Sequence, residues 1–106
     1  MVKLQKAKNQ DGSIRYFLNI PKYYTIRKTW CKGKGIDFHI NSRGNLVLMD
    51  GGTVKIQVAK NSTGSLRHFI TLPKHLVESN NWKAGFKIGF VFDEQMQVEL
   101  IVEGEK

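Results

Sequence analysis

Two arginines carry the clearest chemical signal in this sequence. Arg15 closes the run Gly12-Ser13-Ile14-Arg15, and Arg67 closes Gly64-Ser65-Leu66-Arg67. A guanidinium offers a planar fork of donors that fits a phosphate or the hydrogen-bonding edge of guanine. Lysines stand near both: Lys6, Lys8 and Lys22 around the first, Lys60 and Lys74 around the second. Arg27 and Lys28 add charge beside the first alone. An ammonium is a point charge that neutralises phosphate without reading sequence. These nine side chains are the candidate polyanion contacts. The chain holds 17 Lys and Arg against 9 Asp and Glu, a formal net charge of +8, and such a balance points to a nucleic acid as partner.

Other chemistries have little to stand on. No Ser/His/Asp or Cys/His constellation and no pair of carboxylates on one strand face is present, so the chain does not read as an enzyme. His39, His68 and His75 are scattered without metal-ligand spacing, and neither a metal nor a cofactor is expected. Lys32-Gly33-Lys34-Gly35 is a tight turn that lacks the spacing of a phosphate loop. Cys31 is the single cysteine. It allows no intrachain disulfide, and this suits a reducing, cytoplasmic setting. The apolar runs are short and broken by charge, so neither a signal peptide nor a membrane span is expected.

The elements that must position the arginines are written twice. Shifted by fifty-two positions, the sequence falls on itself without a gap. Val2-Lys3-Leu4-Gln5 lies over Val54-Lys55-Ile56-Gln57, Pro21-Lys22 over Pro73-Lys74, Trp30 over Trp82 and Gly33 over Gly85. Residues 1–50 form the first repeat and 51–106 the second. A fifty-residue unit is near the lower limit for a free-standing core, so both are expected to share one compact domain.

Each repeat reads as hairpin, short helix, hairpin. Val2 to Lys8 alternates as a strand, Asn9-Gln10-Asp11-Gly12-Ser13 turns, and Ile14 to Ile20 returns. Tyr16, Leu18 and Ile20 share one face of that strand; Arg15, Phe17 and Asn19 share the other. In the second copy His68, Ile70 and Leu72 oppose Arg67, Phe69 and Thr71. Pro21 and Pro73 close the strands, and short helices follow over Lys22 to Thr29 and Lys74 to Asn80. Trp30 and Trp82 read as core plugs. Ile36 to Ile40 with Leu46 to Met49, and Ile88 to Phe92 with Gln97 to Val102, form the closing hairpins.

The ordered set resembles the AbrB/SpoVT swapped-hairpin family. The matching residues run from Ile20-Pro21-Lys22 through Trp30-Cys31-Lys32-Gly33 to Ile36–Leu48. They recur from Leu72-Pro73-Lys74 through Trp82-Lys83-Ala84-Gly85 to Ile88–Leu100. The resemblance implies a mostly β fold with short helices: a swapped-hairpin, AbrB-like β-barrel formed within one chain as a pseudo-dimer. It also implies binding of double-stranded DNA through the first hairpin and the short helix, and a role in transcription regulation. The chain departs from the family pattern in places. Phe17 and Phe69 stand where an Arg is usual, and Thr25 and Val77 replace the helix Arg.

On this reading the contact set is Lys6, Lys8, Arg15, Lys22, Arg27, Lys28, Lys60, Arg67 and Lys74. Residues 1–50 carry ten basic groups against three acidic, and 51–106 seven against six. The first copy is therefore expected to dominate phosphate contact, with Arg15 mattering more than Arg67. Two alternatives stay open. One is a non-specific architectural DNA-binding protein. The other is a protein-interaction module of antitoxin type, weakened because only Glu103-Gly104-Glu105-Lys106 follow the last strand. Neither a membrane nor a small-molecule substrate is expected, and further homodimerisation of the fused unit stays open.

Overall fold

The computed structural model describes residues 2–104. The first repeat supplies β1 (Val2–Lys3), β2 (Gln5–Lys8), β3 (Ile14–Ile20), α1 (Lys22–Lys28), β4 (Gly35–Ile40) and β5 (Leu46–Asp50). The second supplies β6 (Val54–Lys55), β7 (Gln57–Lys60), β8 (Leu66–Leu72), α2 (Lys74–Ser79), β9 (Lys87–Phe92) and β10 (Val98–Gly104). Four strands form one antiparallel sheet in the order β2-β3-β8-β7, and six form another in the order β1-β9-β10-β5-β4-β6. The result is a mostly β domain with short helices, curled into an open half-barrel.

The strand expected over Val2 to Lys8 is divided at Leu4. Leu4 donates its N–H to Phe86 O at 2.9 Å and accepts from the Gly85 N–H at 2.7 Å. Ile56 repeats this with Lys34 O and the Gly33 N–H, both at 2.9 Å. Each corner residue is 1% exposed. One extended segment thereby serves both sheets, and its burial fixes the corner. Strands also cross between the repeats: β1 pairs with β9, and β6 pairs with β4.

The register reveals an internal axis. In the four-stranded sheet Leu18 pairs with Ile70, its own counterpart in the repeat. In the six-stranded sheet Val47 pairs with Glu99, again its own counterpart. A pseudo-two-fold axis passes through both pairs, as in an isologous dimer interface. Leu18, Ile70, Leu46, Leu48, Ile88 and Leu100, all at 0% exposure, join one buried cluster drawn from both repeats.

The helices have seven and six residues, too short to hold alone in water. Burial holds them. Thr25 and Val77 are inside, and α1 packs against β8 while α2 packs against β3. The Tyr24 hydroxyl donates to Phe90 O, and its ring lies 4.9 Å from Phe92. Trp30 is 3% exposed and donates Nε1–H to Asp50 Oδ1 at 2.6 Å, whereas Trp82 is only half-buried. Both helices end in a Schellman motif. Trp30 N–H reaches Thr25 O and Thr29 N–H reaches Ile26 O; Trp82 and Asn81 do the same with Val77 O and Glu78 O. The motif requires a left-handed residue, supplied by Asn81 (φ 58°) in the second repeat and by Thr29 (φ 55°) in the first. Asparagine tolerates that conformation; a β-branched threonine is strained in it.

The axis pair Val47/Glu99 is the least symmetric point of the fold. Glu99 is 2% exposed. Its carboxylate accepts from Arg43 Nη2 at 2.6 Å, Arg43 Nε at 3.2 Å, Asn45 Nδ2 at 2.7 Å and Asn41 Nδ2 at 2.9 Å. All three donors come from the β4–β5 turn, and their counterparts across the axis are Asp93, Gln95 and Gln97. Hydrogen bonds from Arg43, then Asn45 and Asn41, hold the Glu99 carboxyl down at about 2.

Two outcomes follow from this packing. Thr29→Asn removes the φ penalty and should stabilise the protein by about 0.5–1 kcal/mol, read as a raised urea midpoint with unchanged slope. The depressed folded-state pKa of Glu99 contributes stability that is present above its unfolded value and lost as pH falls toward about 2. Thermal melts from pH 5 to pH 2 should therefore show a declining Tm, and Glu99→Gln should flatten that decline while lowering Tm at pH 7.

Candidate nucleic-acid interface

The four-stranded sheet has one face on the core and one in solvent, as the alternation along β3 and β8 dictates. Leu18, Ile20, Ile70 and Leu72 are buried on the inner face. Directly paired residues of antiparallel strands point to the same side. The pairs Gln5↔Phe17, Ala7↔Arg15, Phe17↔Thr71, Asn19↔Phe69, Gln57↔Phe69 and Ala59↔Arg67 therefore all lie on the outer face. Among the described residues that face carries no carboxylate.

Its centre is aromatic. Phe17 and Phe69 meet edge to face across the axis with ring centroids 5.9 Å apart. Each carries the arginine of its own strand: the Arg15 guanidinium lies 5.6 Å from the Phe17 ring and the Arg67 guanidinium 5.4 Å from Phe69. This geometry is within the range of cation–π attraction, which holds the guanidiniums against the face. None of the ion pairs among the described residues engages Arg15 or Arg67. Alanines opposite them on the edge strands leave both forks sterically clear. Gln5, Gln57 and Thr71 surround the rings with amides and a hydroxyl, the groups that bond base edges, and Asn19 stands beside them. Gln57 Nε2 donates to Thr71 Oγ1 at 3.4 Å, while Asn19 Oδ1 is buried without a hydrogen-bond partner.

The sequence-derived contact set divides on this frame. Arg15 and Arg67 share the outer face. Lys6, Lys8 and Lys60 pair with Tyr16, Ile14 and Leu66, so they alternate to the opposite side, exposed on the two edge strands. Lys22 and Lys74 are exposed at the helix starts. Because Ile20 pairs with His68, the chain enters α1 at the Arg67 end of the sheet. By the same symmetry Lys74 stands at the Arg15 end, where it lies 3.9 Å from Glu78. The exchange thus carries first-repeat charge to the second repeat's arginine. Arg27 stacks 5.0 Å over Tyr23. Lys28 donates to Met96 O at 3.0 Å, tying α1 to the β9–β10 turn. The aromatic pair and its amide surround were not in the sequence-derived set. Phe17 and Asn19 were visible as neighbours of Arg15 on one strand face, but only the β3–β8 register joins them to Phe69 and Thr71.

Elsewhere the surface offers less. A cleft of 260 Å³ is lined by Val2, Pro21, Tyr24, Gly89 and Phe90, with no charged side chain. A cleft of 150 Å³ between the β4–β5 and β9–β10 turns is lined by His39, Asn41, Arg43, Asp93, Glu94 and two glutamines. Among the described residues no group of three or more His, Cys, Asp or Glu is placed to hold a metal ion, and no helix is long and apolar enough to cross a membrane. The chain matches no protein-family model, no curated protein and no solved structure.

A double-mutant cycle tests whether the aromatic centre is a coupled unit. Phe17→Ala and Phe69→Ala should each destabilise the fold, and their coupling energy should be about 0.5–1.5 kcal/mol from chemical denaturation. Strictly additive losses would show that the rings do not support one another.

Proposed function

We propose that this protein binds duplex DNA as a single-chain, AbrB/SpoVT-type swapped-hairpin pseudo-dimer and acts in transcription regulation. One observation carries the reading. The outer face of the four-stranded sheet sets two arginines symmetrically about an internal axis, with no ion-pair partner and no carboxylate on that face among the described residues. Strand exchange between the repeats supports the swapped-hairpin assignment. The overall charge of +8 supports a polyanion partner.

The division of labour follows from geometry. Lys22 and Lys74, exposed at the helix starts, can meet phosphates and set orientation. Lys6, Lys8 and Lys60, turned from the arginine face on the edge strands, can meet only phosphates that lie beyond the sheet edge. Arg15 and Arg67 occupy the central strands β3 and β8. A two-stranded antiparallel ribbon fits the major groove, and its outward side chains reach base edges. Lys28, engaged with Met96 O, and Arg27, stacked on Tyr23, are assigned to fixing α1 rather than to the groove.

The test is fluorescence anisotropy on labelled duplex across a salt series, with single-stranded DNA of the same sequence beside it. Affinity for duplex should fall about 10³-fold between 50 and 200 mM salt if about six phosphates are neutralised. Arg15→Glu and Arg67→Glu should each weaken binding at least about tenfold. The two effects should be similar, because the internal axis gives both arginines equivalent places on the face. Preference for the single strand would replace the duplex reading with base stacking on the Phe17–Phe69 surface. Absence of binding to either would leave the protein-interaction module as the better account.

A further inference from the structure

The spacing of the two arginines limits what a duplex target can look like. From guanidinium to ring, ring to ring and ring to guanidinium, the steps are 5.6, 5.9 and 5.4 Å. These steps keep the two guanidiniums no more than about 17 Å apart, at most about five base-pair steps at the 3.4 Å spacing of duplex DNA. Regulators that present one recognition helix per subunit instead place half-sites about ten base pairs apart. The internal axis relates the two guanidiniums, so the groups they meet lie on opposite DNA strands. Between them stand two phenyl rings at the centre of the face. A phenyl ring offers no hydrogen bond, and its favourable partner in the major groove is the thymine methyl group.

We propose that the interface reads one compact site within a single face of the major groove. In it two guanines on opposite strands, no more than about five base-pair steps apart, meet Arg15 and Arg67, and the intervening thymine methyl groups pack against Phe17 and Phe69. This rests on the duplex reading above and goes beyond it by specifying the layout of the target. The alanines opposite each arginine keep the edge strands low beside the guanidiniums, so both forks can approach the groove floor. The outer polar side chains differ between the repeats, Asn19 against Thr71, so the two halves of the site are similar rather than identical.

The experiment is selection of binding sequences from a randomised duplex library, followed by anisotropy on a spacing series at fixed salt. The selected sites should carry two guanines at one fixed separation of no more than about five steps around an A·T-rich centre. Widening the separation by two base pairs should cost about tenfold or more in affinity. Arg15→Ala should relax preference at one guanine and Arg67→Ala at the other. Replacing the central thymines by uracil removes only the methyl groups. It should weaken the wild-type protein severalfold and weaken Phe17→Ala, which keeps only Phe69, by clearly less, with thermal melts confirming that each variant is folded. Selected guanines a full helical turn apart, duplex binding indifferent to spacing, or indifference to uracil would overturn this layout while leaving duplex binding in place. No duplex binding at any salt would overturn both the layout and the reading beneath it.

Discussion

The pairing of Leu18 with Ile70 is the constraint on which the rest of the structure depends. These two residues are equivalents in the repeat, and they are paired with each other and buried completely. Joining a strand to its own counterpart in antiparallel register places both on a two-fold axis. Every other exchange between the repeats follows from that axis. It sends α1 toward β8 and α2 toward β3, and it brings β5 and β10 together at Val47 and Glu99. The apolar face of β3 is then closed by material from the other repeat. A fifty-residue unit could not bury that face unaided.

Fusion permits what identical copies cannot. A homodimer has to place the same residue on both sides of its axis. Here the axis position is valine in one repeat and glutamate in the other, and the turn that satisfies the glutamate belongs to the first repeat only. A second glutamate facing the first would bury two like charges, a heavily unfavourable arrangement. Covalent linkage frees each repeat to diverge while the shared core keeps its symmetry. The divergence is concentrated at the second hairpins and the helix ends, and the outer face of the four-stranded sheet keeps both Arg–Phe stacks.

The linker between repeats is part of the packed structure. Gly51 donates its N–H to Gly35 O at 3.0 Å. A Cβ on Gly52 would stand 2.1 Å from Ile36 O, closer than real Cβ contacts, so only glycine lets the chain pass over β4 here. The passage into β6 is thereby pinned to the β4 strand with which β6 pairs. The same segment that joins the repeats also directs the exchange.

Much of the local structure was legible in the residues. The offset of fifty-two, the alternation along β3 and β8, the prolines ahead of the helices and the asparagine at the end of α2 are properties of near neighbours, and they depend on local sterics and periodicity. The split at Leu4 was not legible, because Val2 to Lys8 contains no turn residue and the switch of sheets is imposed by Phe86 and Gly85 from the other repeat. The charge imbalance between the halves was counted correctly, but its distribution in space was not. Strand exchange carries Lys22 to the Arg67 end, and no property of a single segment records that. The sequence alone determined which side chains face outward on each strand and that the unit occurs twice. Only the tertiary structure decided that Phe17 meets Phe69 and that both arginines share one surface, because cross-strand register between distant segments is a product of packing rather than of local preference.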